Sequence, residues 1–116
     1  MKLVALAATV AVLGVLAVPA ALAGTPTLNG TVGPSFTITL TQSGKKVTKL
    51  KAGTYIFKIA DKSSAHNFHL KGPGVDKMTS VGAVTNVTWK LKLKAGKYTF
   101  VCDPHKSFMK GSFTVS

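Results

Sequence analysis

The chain has 116 residues and a formal net charge of +12, from 15 lysines against three aspartates, with neither arginine nor glutamate. Lysine without arginine fits nucleic-acid recognition poorly, because base and phosphate contacts rely on the bidentate arginine fork, and no nucleic-acid-binding motif is present. The single cysteine excludes an internal disulfide, so a small exported domain needs another means of stabilisation.

The N-terminal segment has the pattern of an export signal. Lys2 precedes an apolar run over residues 3–18, and the small-residue cleavage signal Ala-Leu-Ala occupies residues 21–23. The run is shorter than the ~20 residues that a transmembrane helix needs, and no second candidate follows. We predict a signal peptide over residues 1–23, cleaved from a mature domain over residues 24–116, with no transmembrane segment and a periplasmic or extracellular location.

The mature chain predicts an all-β fold. Residues 24–34 are rich in glycine and proline and predict an irregular lead-in. The connection over residues 72–85 predicts a crossing loop with a helical turn near residues 76–78. Alternating apolar and polar residues predict strands, and these start near Phe36, Val47, Tyr55, His66, Val87, Tyr98 and Ser112. Seven or so short strands without a convincing helix predict a Greek-key antiparallel β-sandwich.

Three aromatic residues have predicted structural roles. Residues 51–57 and 94–100 share the pattern Lys-Ala-Gly-x-Tyr-x-Phe, which predicts a tight turn feeding a strand in each case. Tyr55 and Tyr98 are then placed to hydrogen-bond back across a corner of the sandwich, as in a tyrosine corner. Trp89 lies on the apolar face of an alternating strand and is predicted to belong to the core.

Soft metal ligands are concentrated near the C-terminus. Cys102, His105 and Met109 lie within eight residues, and a thiolate, an imidazole and a thioether together select copper. Cys102 alone would more often be a small buried hydrophobic residue, but an unpaired thiol in an exported protein needs burial or a bound partner. The hypothesis is therefore one mononuclear copper ion, with Met109 as the axial ligand and Met78 as its competitor.

A trigonal copper site of this kind needs a second imidazole. His66 and His69 are the candidates, and their spacing places them on opposite faces of a strand. We choose His66 because Asn67 follows it and can hydrogen-bond across to the cysteine loop, which would hold the two ligand segments together. His69 is expected to be a satisfied or exposed strand residue.

These segments resemble a known family. Residues 65–68, 98–105 and 111–113, together with Met109, look like the cupredoxins, in particular the small plastocyanin, pseudoazurin and amicyanin type, over nearly all of residues 34–116. The resemblance implies an eight-stranded Greek-key sandwich, one-electron transfer and a loop-tying role for Asn67. It also implies four copper ligands, His66, Cys102, His105 and Met109.

The leading functional hypothesis is a soluble electron carrier that cycles between Cu(I) and Cu(II). Electrons would leave through His105, beside Pro104 and Phe108 in an apolar patch, toward an acidic redox partner that the lysines orient. A weak contact with an anionic membrane surface is an additional possibility, and a monomer is expected. The alternative is a copper chaperone or storage module without electron shuttling. No enzymatic activity is expected, because a Cys102 nucleophile lacks any signature of a substrate pocket.

Overall fold

The structure, a computed structural model, describes residues 24–116, so the signal peptide expected at residues 1–23 lies outside the described part. The chain forms two five-stranded sheets, in the orders β3-β2-β1-β5-β8 and β4-β10-β9-β6-β7. The strands are β1 (Thr27–Val32), β2 (Ile38–Gln42), β3 (Lys45–Lys46), β4 (Lys49–Leu50), β5 (Gly53–Asp61), β6 (His69–Gly72), β7 (Val75–Met78), β8 (Thr85–Leu93), β9 (Gly96–Val101) and β10 (Lys110–Val115). A 3-10 turn over Asp103–His105 separates β9 from β10.

The core lies between the sheets because each strand turns alternate side chains inward. The buried side chains include Leu28, Leu40, Phe57, Ile59 and Leu93 from the first sheet and Leu70, Tyr98, Phe100 and Phe113 from the second. Removing this apolar surface from water is the main stabilising contribution. The predicted all-β sandwich is confirmed, while Trp89 is only partly buried and packs against the core.

The sheets are mixed, whereas the sequence predicted antiparallel pairing. β1 pairs with β5 in parallel, and β4 pairs with β10 in parallel. The predicted irregular lead-in over residues 24–34 therefore contains a strand. Its inward positions Leu28, Gly30 and Val32 do alternate, but the glycine conceals the pattern. A Cβ on Gly30 would lie 2.5 Å from Cδ1 of Ile59, so the close packing of β1 on the core requires glycine.

The helical turn predicted near residues 76–78 is wrong, because these residues belong to β7. β6 and β7 form an antiparallel hairpin in which Gly72 pairs with Val75. Only Pro73 and Gly74 connect the two strands, and Gly74 has φ of 70°. Proline followed by glycine with positive φ is the sequence of a type II turn, and this turn leads into β7, a strand that lies inside the predicted crossing loop.

Both predicted tyrosine corners are confirmed. The Tyr55 hydroxyl donates to the Lys51 carbonyl at 2.7 Å. The Tyr98 hydroxyl accepts from the Lys94 amide at 2.9 Å and lies 2.9 Å from the Lys94 carbonyl and 3.3 Å from that of Pro73. These bonds close the turns that precede β5 and β9. Within residues 24–116, no helix is long and apolar enough to span a membrane.

A buried polar brace holds the segment that follows β5. The Asp61 side chain is buried, accepts from the Thr79 hydroxyl at 2.7 Å and accepts from the Ser63 amide at 3.2 Å. The Thr79 hydroxyl accepts in turn from the Phe68 amide at 2.8 Å. Because a buried carboxylate is tolerated only when it is hydrogen-bonded, the brace fixes both ends of the segment that carries His66.

Candidate metal centre

Three soft donor atoms converge at one end of the sandwich. The Nδ1 atoms of His66 and His105 are 3.1 Å apart, and the Sγ atom of Cys102 lies 3.6 Å from each. His66 and Cys102 are buried, and His105 is half-buried. Donors that bind one ion at about 2.0–2.3 Å cannot be more than about 4.6 Å apart. The three atoms meet this bound, and two imidazoles with a thiolate are the donor set of a trigonal copper site.

The loop after β9 positions two of these donors. Cys102 follows the last residue of β9, and its amide donates to the Met109 carbonyl at 3.0 Å. Its carbonyl accepts from the His105 amide at 3.0 Å, across the 3-10 turn that contains the exposed Pro104. The Met109 amide donates to the His105 carbonyl at 2.8 Å. Proline presets the backbone of such a turn, so the spacing between cysteine and histidine is fixed locally.

The two candidate axial methionines lie in different environments. Met109 is 1% exposed and closes the loop that contains Cys102 and His105. Met78 ends the edge strand β7 and is 52% exposed. Of these two methionines, Met109 is therefore the one that is shielded from water and lies in the loop of Cys102 and His105.

The third donor comes from a turn and not from a strand. The strand predicted to begin near His66 begins only at His69, so the parity argument for separating the two histidines does not apply to the actual backbone. The His66 amide donates to the Ser63 carbonyl at 3.4 Å. The metal cluster contains His66, while the ring of His69 contacts carboxylates elsewhere.

Asn67 and Asp103 join the His66 turn to the cysteine loop in both directions. The Asn67 side-chain amide donates to Oδ2 of Asp103 at 2.7 Å, and the Asp103 backbone amide donates to Oδ1 of Asn67 at 2.7 Å. Asn67 is buried, so both bonds are sheltered from water. The pair holds the residues next to His66 and Cys102 in a fixed relation.

His69 and Asp103 form an ion pair that changes the pKa of both groups. Burial lowers the pKa of His69, but hydrogen bonds and attraction from Asp103 and Asp76 outweigh it, so the pKa lies above its ordinary value. Burial likewise raises the pKa of Asp103. The hydrogen bonds from Asn67 and His69 and the nearby positive charges outweigh this effect, so the pKa of Asp103 lies below its ordinary value.

Phe36 belongs to the metal centre, which the sequence analysis did not foresee. Its ring centroid lies 5.2 Å from that of His66, 5.1 Å from that of His105 and 6.0 Å from that of Phe108. We predicted that Phe36 begins a strand with an inward side chain, but β2 begins at Ile38 and Phe36 is 63% exposed. The glycine and proline just before it are the signal that could have indicated a loop.

Gly33 allows this aromatic loop to approach the His66 turn. It has φ of 69°, and a Cβ there would lie 2.8 Å from Cβ of Ser63 and 3.2 Å from Cδ2 of His66. A side chain at this position would therefore combine backbone strain with displacement of the His66 turn.

Comparison with known proteins gives one family and several structures. The family model described as "Copper binding proteins, plastocyanin/azurin family" matches residues 32–116. No curated protein matches the chain by sequence.

Several solved structures share the fold. Reduced rusticyanin is 21% identical, with a TM-score of 0.56 and 79% of each chain covered. Rusticyanin from Thiobacillus ferrooxidans is 23% identical, with a TM-score of 0.55 and coverage of 79% of this chain and 77% of that one. A multi-copper oxidase from Pediococcus acidilactici is 15% identical, with a TM-score of 0.55. It matches 80% of this chain over 26% of its own length.

Proposed function

Because the chain belongs to the plastocyanin/azurin family of copper-binding proteins, we propose that it carries single electrons between redox partners. The resemblance to the cupredoxins is confirmed. Copper is the cofactor, and the cluster of His66, Cys102 and His105 fits a single type 1 ion. The observation that carries the proposal is the convergence of these three donor atoms within 3.6 Å of one another. When bound, copper supplies one-electron redox chemistry.

The residues around the donors are proposed to keep them in one arrangement for both oxidation states. His66 is held by the Asp61 brace and by Asn67, and the cysteine loop by its own backbone bonds. Met109 is proposed as the axial ligand, supported by its burial within that loop. Hydrogen bonds around metal ligands fix their orientation, which is expected to keep rearrangement small when the metal changes charge, and small rearrangement favours fast electron transfer.

Electrons are proposed to pass through His105, the half-buried member of the cluster. Phe36 and Phe108 are 63% and 59% exposed and lie beside its ring, and Pro104 is exposed in the adjacent turn. Exposed apolar groups gathered at one place are typical of protein interaction sites. Phe36, Pro104 and Phe108 therefore form the proposed docking patch, through which a partner approaches His105 without intervening water.

The redox partner is proposed to be acidic. The ion pairs found among residues 24–116 both involve His69, so no lysine in this part of the chain lies within 4.0 Å of a carboxylate. Asp61 is buried in its brace, and the other two aspartates bind His69. Unneutralised lysines give a positive field that would orient a negatively charged partner before contact.

The rate of electron exchange with an acidic redox protein is therefore expected to fall as salt is added. The effect is expected to be large between about 0.01 and 0.15 M ionic strength, where the screening length shortens from about 30 to 8 Å. Stopped-flow mixing of reduced and oxidised proteins measures it, with a small neutral oxidant as the control. A rate that does not change with salt would contradict electrostatic steering and leave copper binding unaffected.

Electron transfer and copper storage differ in what happens to the metal. A carrier is expected to retain its copper through repeated oxidation and reduction, which voltammetry followed by metal analysis would measure. A protein that binds only Cu(I), remains colourless and releases copper to a chelator would instead support the alternative of a chaperone or storage module. The burial of His66 and Cys102 favours retention, and no catalytic activity is proposed.

The cellular setting is also a proposal. Export to the periplasm or extracellular space is supported by the sequence of residues 1–23. We propose a monomer, because a carrier that meets its partners in turn needs its docking patch free.

A further inference from the structure

His69 is a buried histidine with both ring nitrogens engaged. It is 7% exposed, its Nε2 lies 2.5 Å from Oδ1 of Asp76 on β7, and its Nδ1 lies 2.9 and 3.0 Å from the two carboxylate oxygens of Asp103. The two carboxylates come from different segments, the edge strand β7 and the loop that carries Cys102. The ring therefore links the edge of the second sheet to the metal loop.

The same Asp103 carboxylate also contacts Asn67. Its Oδ2 accepts from the Asn67 side chain while the Asp103 backbone amide donates to Asn67. His69, Asp103 and Asn67 therefore form a continuous network between the two segments that supply the copper ligands. Among residues 24–116, no buried polar side-chain atom of this network lacks a partner.

This network needs His69 because Asp103 is poorly anchored by its own position. The Asp103 side chain is 42% exposed and begins a 3-10 turn of only three residues. Among residues 24–116, Asn67 donates to Oδ2 of this carboxylate, and His69 is the side chain that donates to Oδ1. The imidazole supplies this donor from a buried position that Asp76 fixes from the other side.

We propose that His69 is a positioning residue of the copper centre, which joins Asp76 to Asp103 and so fixes the carboxylate that binds Asn67 beside Cys102. Its effect on the metal rests on the proposed electron-transfer function, but its effect on the loop does not. His69 acts through Asp103 and is not itself a ligand.

Matched substitutions separate the two contacts of the ring. In His69→Asn the amide nitrogen takes the place of Nδ1 and retains the bond to Asp103, whereas in His69→Gln it takes the place of Nε2 and retains only the bond to Asp76. We expect His69→Asn, which loses only the anchor to Asp76, to change the reduction potential and the electron paramagnetic resonance spectrum less than His69→Gln does. We expect His69→Gln to change both. Equal values for the two variants would overturn the proposal.

Hydrogen exchange tests the loop without copper. In the copper-free protein, exchange of the Asp103 amide is expected to be about fivefold faster in His69→Gln than in His69→Asn, the factor for one ordinary hydrogen bond. If this holds while the copper-loaded protein shows no reversible redox chemistry, only the proposed function is contradicted. Reversible redox chemistry with equal exchange rates in both variants would contradict the positioning role alone.

A variant at an exposed residue tests the proposal without any substitution of the buried His69. The Asp76 side chain is 62% exposed, so Asp76→Ala removes the second anchor of the ring without opening the core. Its Asp103 amide is expected to exchange faster than in Lys77→Ala, which changes the next residue on β7, also exposed. Equal exchange rates of the Asp103 amide in these two variants would contradict the proposal that Asp76 helps to hold His69.

Discussion

Cys102→Ser is expected to abolish the intense visible absorption of the copper-loaded protein. A serine hydroxyl cannot provide the thiolate-to-copper charge transfer that colours a type 1 site, and it is a poor ligand for copper beside two imidazoles. Copper affinity should fall by more than the about 10–100-fold that loss of an outer hydrogen-bond partner costs. Visible and electron paramagnetic resonance spectra during a Cu(II) titration measure both effects.

Met109→Leu is the matched control for this loss. It keeps an apolar side chain of similar size at a buried position and leaves the thiolate and both imidazoles in place. Intense absorption should therefore remain, while removal of the proposed axial sulfur changes the reduction potential. Strong absorption in Cys102→Ser would contradict the assignment of the thiolate. A potential that is unchanged in Met109→Leu would contradict that of the axial ligand.

Gly72→Ala is expected to destabilise the fold strongly. An added Cβ would lie 2.1 Å from Cδ1 of Tyr98, and Tyr98 is fully buried and tied by its hydroxyl to its tyrosine corner. Neither the backbone of β6 nor the Tyr98 ring can move without losing other contacts, so we expect a loss of about 3 kcal/mol in the free energy of unfolding. Urea denaturation measures this loss, which corresponds to a fall of roughly 10–20 °C in Tm.

Gly24→Ala serves as the control, because a Cβ there would meet no atom within 4 Å. Its unfolding curve should match that of the unsubstituted protein. A Gly72→Ala variant as stable as Gly24→Ala would mean that β6 and Tyr98 can move apart without cost, against the close packing described above.

Part of the metal centre could be predicted from the sequence, because several of its residues are close neighbours in the chain. Cys102, His105 and Met109 lie in one short loop, and the soft donors alone indicate copper. The alternation of β5 and β8 likewise predicts two strands that the structure contains. These features depend on residues that are close together in the chain, so they can be recognised in a single sequence.

The remaining features depend on contacts between distant residues. The bond between His69 and Asp103 spans 34 positions, and the approach of Phe36 to His105 follows from how a loop crosses the end of the sandwich. The alternating pattern does not predict β1, because one of its inward positions is Gly30 and not an apolar side chain. The close packing of β1 against Ile59 requires this glycine. Glycine and proline indicated a break near residues 72–74, but a tight hairpin and a long loop begin with the same signal.

The parallel pairing of β4 with β10 bears on how the protein folds. Lys49 and Thr114 are paired although they lie far apart in the chain, and loop-closure entropy opposes this contact until other contacts have formed. Hairpins such as β6–β7 are local and form early, whereas non-local sandwiches fold in roughly milliseconds to seconds. His66 and Cys102 are 36 positions apart and meet only in the assembled sandwich. The complete donor set therefore exists only when both segments are in place, so the colour of the copper-loaded protein is expected to report on the assembled sandwich.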